Sequence, residues 1–274
     1  SEAVAAENSE EEKSARPERK EDFRVFLLMG QSNMEGAGYP VLPDYLKPQP
    51  NVLMLNDQGE WVPDVVPFGR GMGPGDVFAR RYAALHPDAT LGVIHAARGG
   101  RSIRELSKGG RDNDGTPNYD RLIEKAKAAQ KRGKIMGILW HQGETDAGAG
   151  EKYLDDLNKL FEDVRSDLGE PDLPAVAGEL GRFASWTAGF NRVIAKAPER
   201  VRLCALASSE GLSDRGDELH FSGFSVEVLG ARYLAAHLAL REPELAAEFK
   251  DELVEIEREM LGRDAAWNVL ENGS

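Results

Sequence analysis

The chain has 274 residues, of which 41% are hydrophobic and 30% are charged, and its formal net charge is −13. These proportions are typical of a globular α/β domain with extensions, and the single cysteine excludes an intrachain disulfide and a thiolate metal cluster. Residues 1–22 carry −4 and residues 241–274 carry −6, which leaves −3 for the middle, so a general nucleic-acid-binding surface is not expected.

The two ends of the chain differ in composition from its middle. Residues 1–22 are rich in Glu, Ala, Ser and Lys and have no large apolar residue beyond Val4, which predicts a disordered acidic tail. No apolar run approaches the length of a membrane span. The sequence begins without Met and without an apolar signal segment, so we expect either a mature exported protein, periplasmic or extracellular, or a chain trimmed of its signal.

Short apolar runs alternate with helical periodicities between residues 23 and 240. Strands are predicted at residues 25–29, 51–55, 90–95, 135–140, 174–180 and 201–207, and helices at 76–85, 120–132, 153–168, 185–196 and 222–240. This alternation predicts a parallel sheet with helices on both faces. A highly charged helix at 244–261 has apolar residues spaced for one docked face, so residues 241–274 are predicted to be a helical extension.

The first predicted strand ends at Gly30 and is followed at once by Gln31, Ser32 and Asn33. In open α/β sheets, functional sites gather at the carboxyl ends of strands, where Ser32 would be displayed as a nucleophile. The alternative is that Ser32 only caps the following helix. This turn alone favours neither interpretation.

Three further segments carry unusual composition. The glycine-rich residues 68–75 lack the spacing of a P-loop or of a dinucleotide-binding turn, which favours a close-packed turn over a phosphate site. Adjacent glycines at 99 and 100 allow the backbone to approach a ligand, and arginines flank them at 98, 101 and 104. Residues 141–146 place five polar or ionisable side chains directly after a strand, which an ordinary connecting loop seldom does.

Acyl transfer requires a nucleophile, a base, a group that orients the base, and donors for the oxyanion. Ser32 is predicted to be the nucleophile and His220 the base. Asp217 is three residues before His220, and this short reach favours it over Glu144 as the partner of the imidazole. The predicted oxyanion donors are the backbone N–H groups of Ser32 and of Gly99 or Gly100, and the side-chain amide of Gln142.

Four of these segments occur in a particular order: residues 30–34 (Gly-Gln-Ser-Asn-Met), 97–100 (Ala-Arg-Gly-Gly), 140–146 (Trp-His-Gln-Gly-Glu-Thr-Asp) and 217–220 (Asp-Glu-Leu-His). Together they resemble the SGNH hydrolase superfamily and, within it, the carbohydrate acetylesterase branch with sialate O-acetylesterase-like proteins (carbohydrate esterase family 6). One segment alone is a weak signal, whereas their joint occurrence over residues 23–240 is specific. The chain departs from the expected pattern at Arg101, where relatives are expected to have Thr.

The resemblance implies a flavodoxin-like three-layer α/β/α sandwich with a central parallel sheet. It implies a serine esterase that removes O-acetyl groups from a sugar or polysaccharide through an acyl-enzyme, without a metal or cofactor. Gln142 would take the third oxyanion position, which Asn occupies in the wider superfamily. Supporting or substrate-binding roles are predicted for the neighbours of these groups: Gln31, Asn33, Arg98, Arg101, His141 and Glu144.

Two of these residues have alternative interpretations. Arg101, if it points inward, favours a substrate with a carboxylate, which arginine holds in a two-pronged contact; otherwise it is solvated or pairs with Glu105. Glu144, if it is not the partner of His220, is a buried carboxylate that holds its loop through hydrogen bonds.

Two other classes of function stay open. A metal-dependent hydrolase would use His141, Glu144 and Asp146 together with Asp217 and His220, because these residue types suit zinc or a harder ion, although no known ligand spacing is present. A non-catalytic sugar-binding relative would keep the fold without turnover. The intact set of nucleophile, base and acid argues against this last class.

Overall fold

The structure is a computed structural model that describes residues 19–272. These residues form one seven-stranded sheet, which has the order β3-β2-β4-β1-β5-β6-β7 and is parallel except for the antiparallel β2–β3 pair. The strands are β1 (Phe23–Gly30), β2 (Val52–Leu55), β3 (Trp61–Pro63), β4 (Thr90–His95), β5 (Lys134–His141), β6 (Ala175–Gly178) and β7 (Cys204–Ala207).

Nine α-helices are present in the described part of the chain. They are α1 (Ser32–Glu35), α2 (Pro74–Leu85), α3 (Ile103–Leu106), α4 (Asn118–Gln130), α5 (Lys152–Leu168), α6 (Ala188–Ile194), α7 (Ala197–Arg200), α8 (Gly223–Arg241) and α9 (Pro243–Asn272). Short 3₁₀ turns occur at Lys20–Asp22, Pro43–Leu46 and Ser185–Thr187. Among residues 19–272, no helix has both the length and the apolar composition that crossing a bilayer requires.

The two faces of the sheet bury separate apolar cores, because successive side chains of a strand point to opposite sides. On β1, Phe26 and Leu28 belong to the core shared with α2 and α8, whereas Val25, Leu27 and Met29 belong to the core shared with α4 and α5. Helices therefore cover both faces of a mostly parallel sheet. This confirms the predicted three-layer α/β/α class.

The observed elements differ from the predicted ones mainly at their ends. Strand β3 was not predicted, because three residues are too few to show a period. The predicted helix at 185–196 is a 3₁₀ turn followed by α6, and α9 runs to residue 272, well past the predicted end at 261. Residues 1–18 of the predicted acidic tail lie outside the described residues.

The central strands bring the polar segments to one edge of the sheet. Gly30 at the end of β1 pairs with His141 at the end of β5, and Leu28 pairs with His95 at the end of β4. Gly30 has a φ of +130°, and a Cβ there would lie 1.9 Å from the carbonyl oxygen of His141, so this position requires glycine. The segments that follow the three strands consequently emerge side by side.

Candidate active site

Ser32, His220 and Asp217 form a continuous chain of hydrogen bonds. Ser32 begins α1 at the carboxyl end of β1, and its Oγ lies 2.9 Å from Nε2 of His220, 188 positions away in the sequence. Nδ1 of His220 lies 2.6 Å from Oδ2 of Asp217. This arrangement can move a proton from the hydroxyl to the imidazole while the carboxylate holds the ring.

Asp217 is surrounded by hydrogen-bond donors. Its Oδ1 accepts the backbone N–H groups of Leu219 at 3.0 Å and His220 at 2.8 Å, and its Oδ2 accepts Nε of Arg215 at 3.0 Å. Partial burial raises the pKa of Asp217, but the hydrogen bonds favour the charged form more strongly and bring the pKa to about 2. The carboxylate is therefore ionised at neutral pH.

The segment that carries Asp217 and His220 is closed at its base. Asp214 and Phe221 form an antiparallel bridge, and the Ser222 N–H donates to the carbonyl of Ser213 at 2.9 Å. Ser222 also caps α8, and its hydroxyl donates to the buried Asp264 of α9 at 3.0 Å. The C-terminal helix thus supports the N-cap residue of α8, which lies two residues after the histidine.

His141 and Glu144 form a second acid–histidine pair beneath the first. Nδ1 of His141 lies 3.3 Å from Oε1 of Glu144, and Nε2 of His141 lies 2.8 Å from the carbonyl oxygen of Glu179. Asn33 donates its amide to Glu144 at 2.9 Å and to the carbonyl of Leu219 at 3.2 Å. Of the two carboxylates that the sequence left in competition, Asp217 contacts His220 and Glu144 contacts His141.

Burial by itself raises the pKa of Glu144. The neighbouring His141 and the hydrogen bond from Asn33 outweigh the burial, so the net direction of the pKa shift is downward. The position matches the alternative interpretation of Glu144, a buried carboxylate that holds its loop. Through Asn33 it also ties that loop to the segment before His220.

Two of the predicted oxyanion donors are already used within the protein. The side-chain amide nitrogen of the fully buried Gln142 donates to the carbonyl of Arg101 at 3.1 Å and to Oδ2 of Asp146 at 2.6 Å. The Gly99 N–H donates to Oε2 of Glu35 at 2.8 Å. The geometry therefore does not match the expectation for Gln142, because both of its N–H groups have acceptors away from Ser32.

Other donors near Ser32 are free. The Ser32 N–H lies in the first turn of α1, where a helix offers it no acceptor. Gly100 has a φ of +72°, and its N–H has no acceptor within residues 19–272. Gln31 accepts the Thr145 N–H at 3.2 Å through Oε1, and its amide nitrogen has no acceptor in the same range.

A cavity of about 490 Å³ opens beside Ser32 and His220. Besides these two residues, its walls include Gln31, Glu35, Arg70, Gly99, Gly100, Thr145, Arg215 and Leu219. Arg215 is committed to Asp217 and to the carbonyl of Ala37, whereas Arg70 has no acidic partner within the described part of the chain. Sequence reasoning missed Arg70, because nothing within the glycine-rich turn relates it to Ser32.

The arginines that flank the paired glycines do not line this cavity. Nε of Arg98 donates to Asp112 at 2.6 Å. Nε of Arg101 donates to the carbonyl of Gly99 at 3.2 Å, and its Nη1 lies 3.5 Å from Glu105. The structure therefore matches the alternative in which Arg101 pairs with Glu105, and it does not match an inward carboxylate clamp.

The side chains that a metal-dependent hydrolase would use do not converge on one point. Oδ2 of Asp146 accepts the Ile103 N–H at 2.8 Å, while His141 turns to the carbonyl of Glu179. Within residues 19–272, the side chains that do converge are those of Asp64, Asp76 and His95, and none of these belongs to the predicted metal-binding set. The geometry does not favour the metal-dependent alternative.

Residues 22–239 match the family described as carbohydrate esterase, sialic acid-specific acetylesterase. An Arabidopsis thaliana protein described as a probable carbohydrate esterase is 26% identical over 245 residues, covering 79% of this chain and 90% of the relative. An X-ray structure of an Arabidopsis thaliana protein has a TM-score of 0.69 at 24% identity, covering 79% of this chain and 98% of the other.

A carbohydrate acetylesterase from Xanthomonas citri has a TM-score of 0.63 at 19% identity, covering 79% of this chain and 56% of the other. At these identities, the two structures show that the fold is shared. The family match covers most of the chain and includes Ser32, Asp217 and His220. The chain therefore belongs to the sialic acid-specific acetylesterase family of carbohydrate esterases.

Proposed function

We propose that the protein is a serine O-acetylesterase acting on an acetylated sugar or polysaccharide. The observation that carries the proposal is the hydrogen-bonded chain from Ser32 through His220 to Asp217, at 2.9 and 2.6 Å, on the wall of an open cavity. Membership of a carbohydrate esterase family supplies the substrate class.

In the first half of the proposed reaction, Oγ of Ser32 attacks the carbonyl carbon of the acetyl ester while Nε2 of His220 takes the hydroxyl proton. The carbonyl π electrons move to oxygen and form a tetrahedral oxyanion. As the oxyanion collapses, the bond to the sugar oxygen breaks and His220 returns the proton to that oxygen. In the second half, water attacks the acetyl-serine in the same way and releases acetate.

Asp217 holds the imidazole in the tautomer that places a free nitrogen against Ser32, and its charge stabilises the imidazolium that forms. Its pKa of about 2 keeps it charged throughout. Arg215 fixes the carboxylate from the other side at 3.0 Å.

The oxyanion donors that we propose are the free ones on the cavity wall: the Ser32 N–H, the Gly100 N–H and the side-chain amide of Gln31. Preorganised donors of this kind stabilise the developing charge without a reorganisation cost. The Gly99 N–H can join them only when Glu35 moves away from it. Gln142 does not contact the oxyanion but supports the site indirectly, because its amide donates to the carbonyl of Arg101 and to the carboxylate of Asp146.

The test is turnover by Ser32→Ala, with the exposed Ser185→Ala as a matched control. Acetate release from acetylated xylose and hydrolysis of p-nitrophenyl acetate should both disappear in Ser32→Ala, with an unchanged circular dichroism spectrum. In the parent enzyme, a fluorophosphonate should add covalently to Ser32, and a chelator should leave activity intact. Full activity of Ser32→Ala would contradict the mechanism, and loss with chelator would revive the metal-dependent class.

A further inference from the structure

A second cavity, of about 430 Å³, lies across Arg215 from the first. Arg215 lines both cavities. The backbone also connects them, because Ala37 lines the first cavity and Tyr39, two residues later, lines the second. The opposite wall of the second cavity is formed by the last part of α9, with Trp267 and Asn268. This part of the chain lies beyond residues 22–239, which match the family.

Aromatic side chains dominate the apolar part of this wall. Tyr39 is 58% exposed, so much of its aromatic ring is open to a ligand. Trp267 and Phe183 are half-buried and line the same cavity. Exposed aromatic rings in a concave site are a suitable surface for the C–H faces of a sugar ring.

The polar part of the wall suits hydroxyl groups. Oδ2 of Asp214 accepts the N–H groups of Gly216 at 3.1 Å and Glu218 at 2.7 Å, which leaves Oδ1 available. Within residues 19–272, the side chains of Asn268 and Glu271 have no protein partner. Among the described residues that line the cavity, Arg215 is the one cation, and it is paired with Asp217. Acidic groups are thus in excess, which disfavours an anionic sugar and favours a neutral one.

We propose that this cavity is a second sugar-binding subsite, which holds a neutral unit of an oligo- or polysaccharide whose acetyl ester lies at Ser32. The inference rests on the proposed function and deepens it, because it makes a chain of sugars, and not a single sugar, the preferred substrate. It also gives the C-terminal helix a role in binding that substrate.

The experiment compares chain lengths. The probes are acetylated xylose and acetylated xylo-oligosaccharides of two to four units, with p-nitrophenyl acetate as a reference that carries no sugar. In the parent enzyme, kcat/KM should rise with chain length. In Tyr39→Ala and Asn268→Ala, the ratio of kcat/KM for the longest probe to that for p-nitrophenyl acetate should fall roughly three- to tenfold, through KM. Trp186→Ala is the matched control, because Trp186 is 41% exposed and does not line the cavity.

A binding measurement separates this proposal from the proposed function. Calorimetry should detect unacetylated xylotetraose or cellotetraose bound to Ser32→Ala, and the added Tyr39→Ala change should weaken that binding. If acetylated sugars are not hydrolysed but the tetrasaccharide binds through Tyr39, the proposed function fails and the subsite stands. If chain length has no effect in the parent, or if its effect survives Tyr39→Ala and Asn268→Ala, the subsite is overturned.

Discussion

Two acid–histidine pairs with the same three-residue spacing lie within one site, and their surroundings differ. In the Asp217–His220 pair the side chains are 34% and 14% exposed, and the atoms facing each other are 2.6 Å apart. In the Glu144–His141 pair the corresponding values are 4%, 0% and 3.3 Å. The outer pair extends to Ser32, whereas the inner pair ends at the carbonyl of Glu179.

An acid and a histidine three residues apart can form a pair at either position, and the other contacts of the histidine determine what each pair can do. His220 keeps one ring nitrogen 2.9 Å from the Ser32 hydroxyl at a cavity, which is the position that a general base requires. His141 faces Glu144 and a backbone carbonyl in the interior, away from the Ser32 hydroxyl. Perturbed carboxylates occur in both pairs, so a shifted pKa alone would not distinguish them.

The largest expected effect is on kcat, and it comes from a substitution that breaks the Asp217–His220 pair. Asp217→Asn should lower kcat by roughly a thousandfold to ten-thousandfold, because an amide facing Nδ1 favours the wrong imidazole tautomer. Glu144→Gln should change kcat by less than about tenfold and instead reduce the unfolding free energy by about 1–3 kcal/mol. Steady-state kinetics and urea denaturation measure the two effects. A larger loss of kcat in Glu144→Gln than in Asp217→Asn would reverse the assignment.

A smaller effect is expected for two glutamines, one of which faces the cavity while the other is bound within the protein. Gln31→Ala should lower kcat by roughly a hundredfold, because its free amide is a proposed oxyanion donor on the cavity wall. Gln142→Ala should mainly destabilise the fold, because it removes the buried hydrogen bonds that the Gln142 side chain makes to the carbonyl of Arg101, to Asp146 and to the Tyr153 hydroxyl. Comparison of kcat at saturating substrate tests the difference. Equal losses, with both proteins folded, would return Gln142 to the oxyanion role.

The architecture was predictable from the sequence, and so was the edge of the sheet at which the candidate site lies. The alternation of apolar runs and helical periods predicts a parallel sheet, and such a sheet collects the residues after β1, β4 and β5 at one edge. The spacing of Asp217 and His220 also limits their separation, and the structure places them in contact. These inferences depend on chain connectivity and on short distances along the sequence.

The direction of individual side chains was not predictable in the same way. Gln142 is held by Arg101, Asp146 and Tyr153, and a contact across 41 positions leaves no local signal. Gly262 is a helix-stop signal, yet α9 continues through it. A glycine costs a helix only about 1 kcal/mol, and the burial of Asp264 beyond it shows that tertiary packing overrides that cost.

The smallest expected effect is on the stability of the fold in acid. A carboxyl whose folded pKa is lowered stabilises the fold above its unfolded pKa, and the stabilisation is lost as pH falls through the folded pKa. For Asp217 this window runs from the ordinary value of 3.8 down to about 2. The stability difference between the parent and Asp217→Asn should therefore be constant above about pH 5 and shrink towards pH 2. Because Asp217 is one-third exposed, solvent screening should keep the change below about 1 kcal/mol.

In acid, the quantity to measure is the difference in unfolding free energy between the parent and the variant. The contributions of titrating groups that both proteins share cancel in this difference. One such group is His237, whose burial lowers its pKa to about 3, so that it destabilises both proteins as the pH falls below 6.5. For Glu144→Gln the corresponding difference should begin to shrink near 4.5, the ordinary value for Glu144. Urea unfolding from pH 7 to pH 2 provides both curves. A parent advantage that grows with acid would mean that the carboxylate at that position is not stabilised in its charged form.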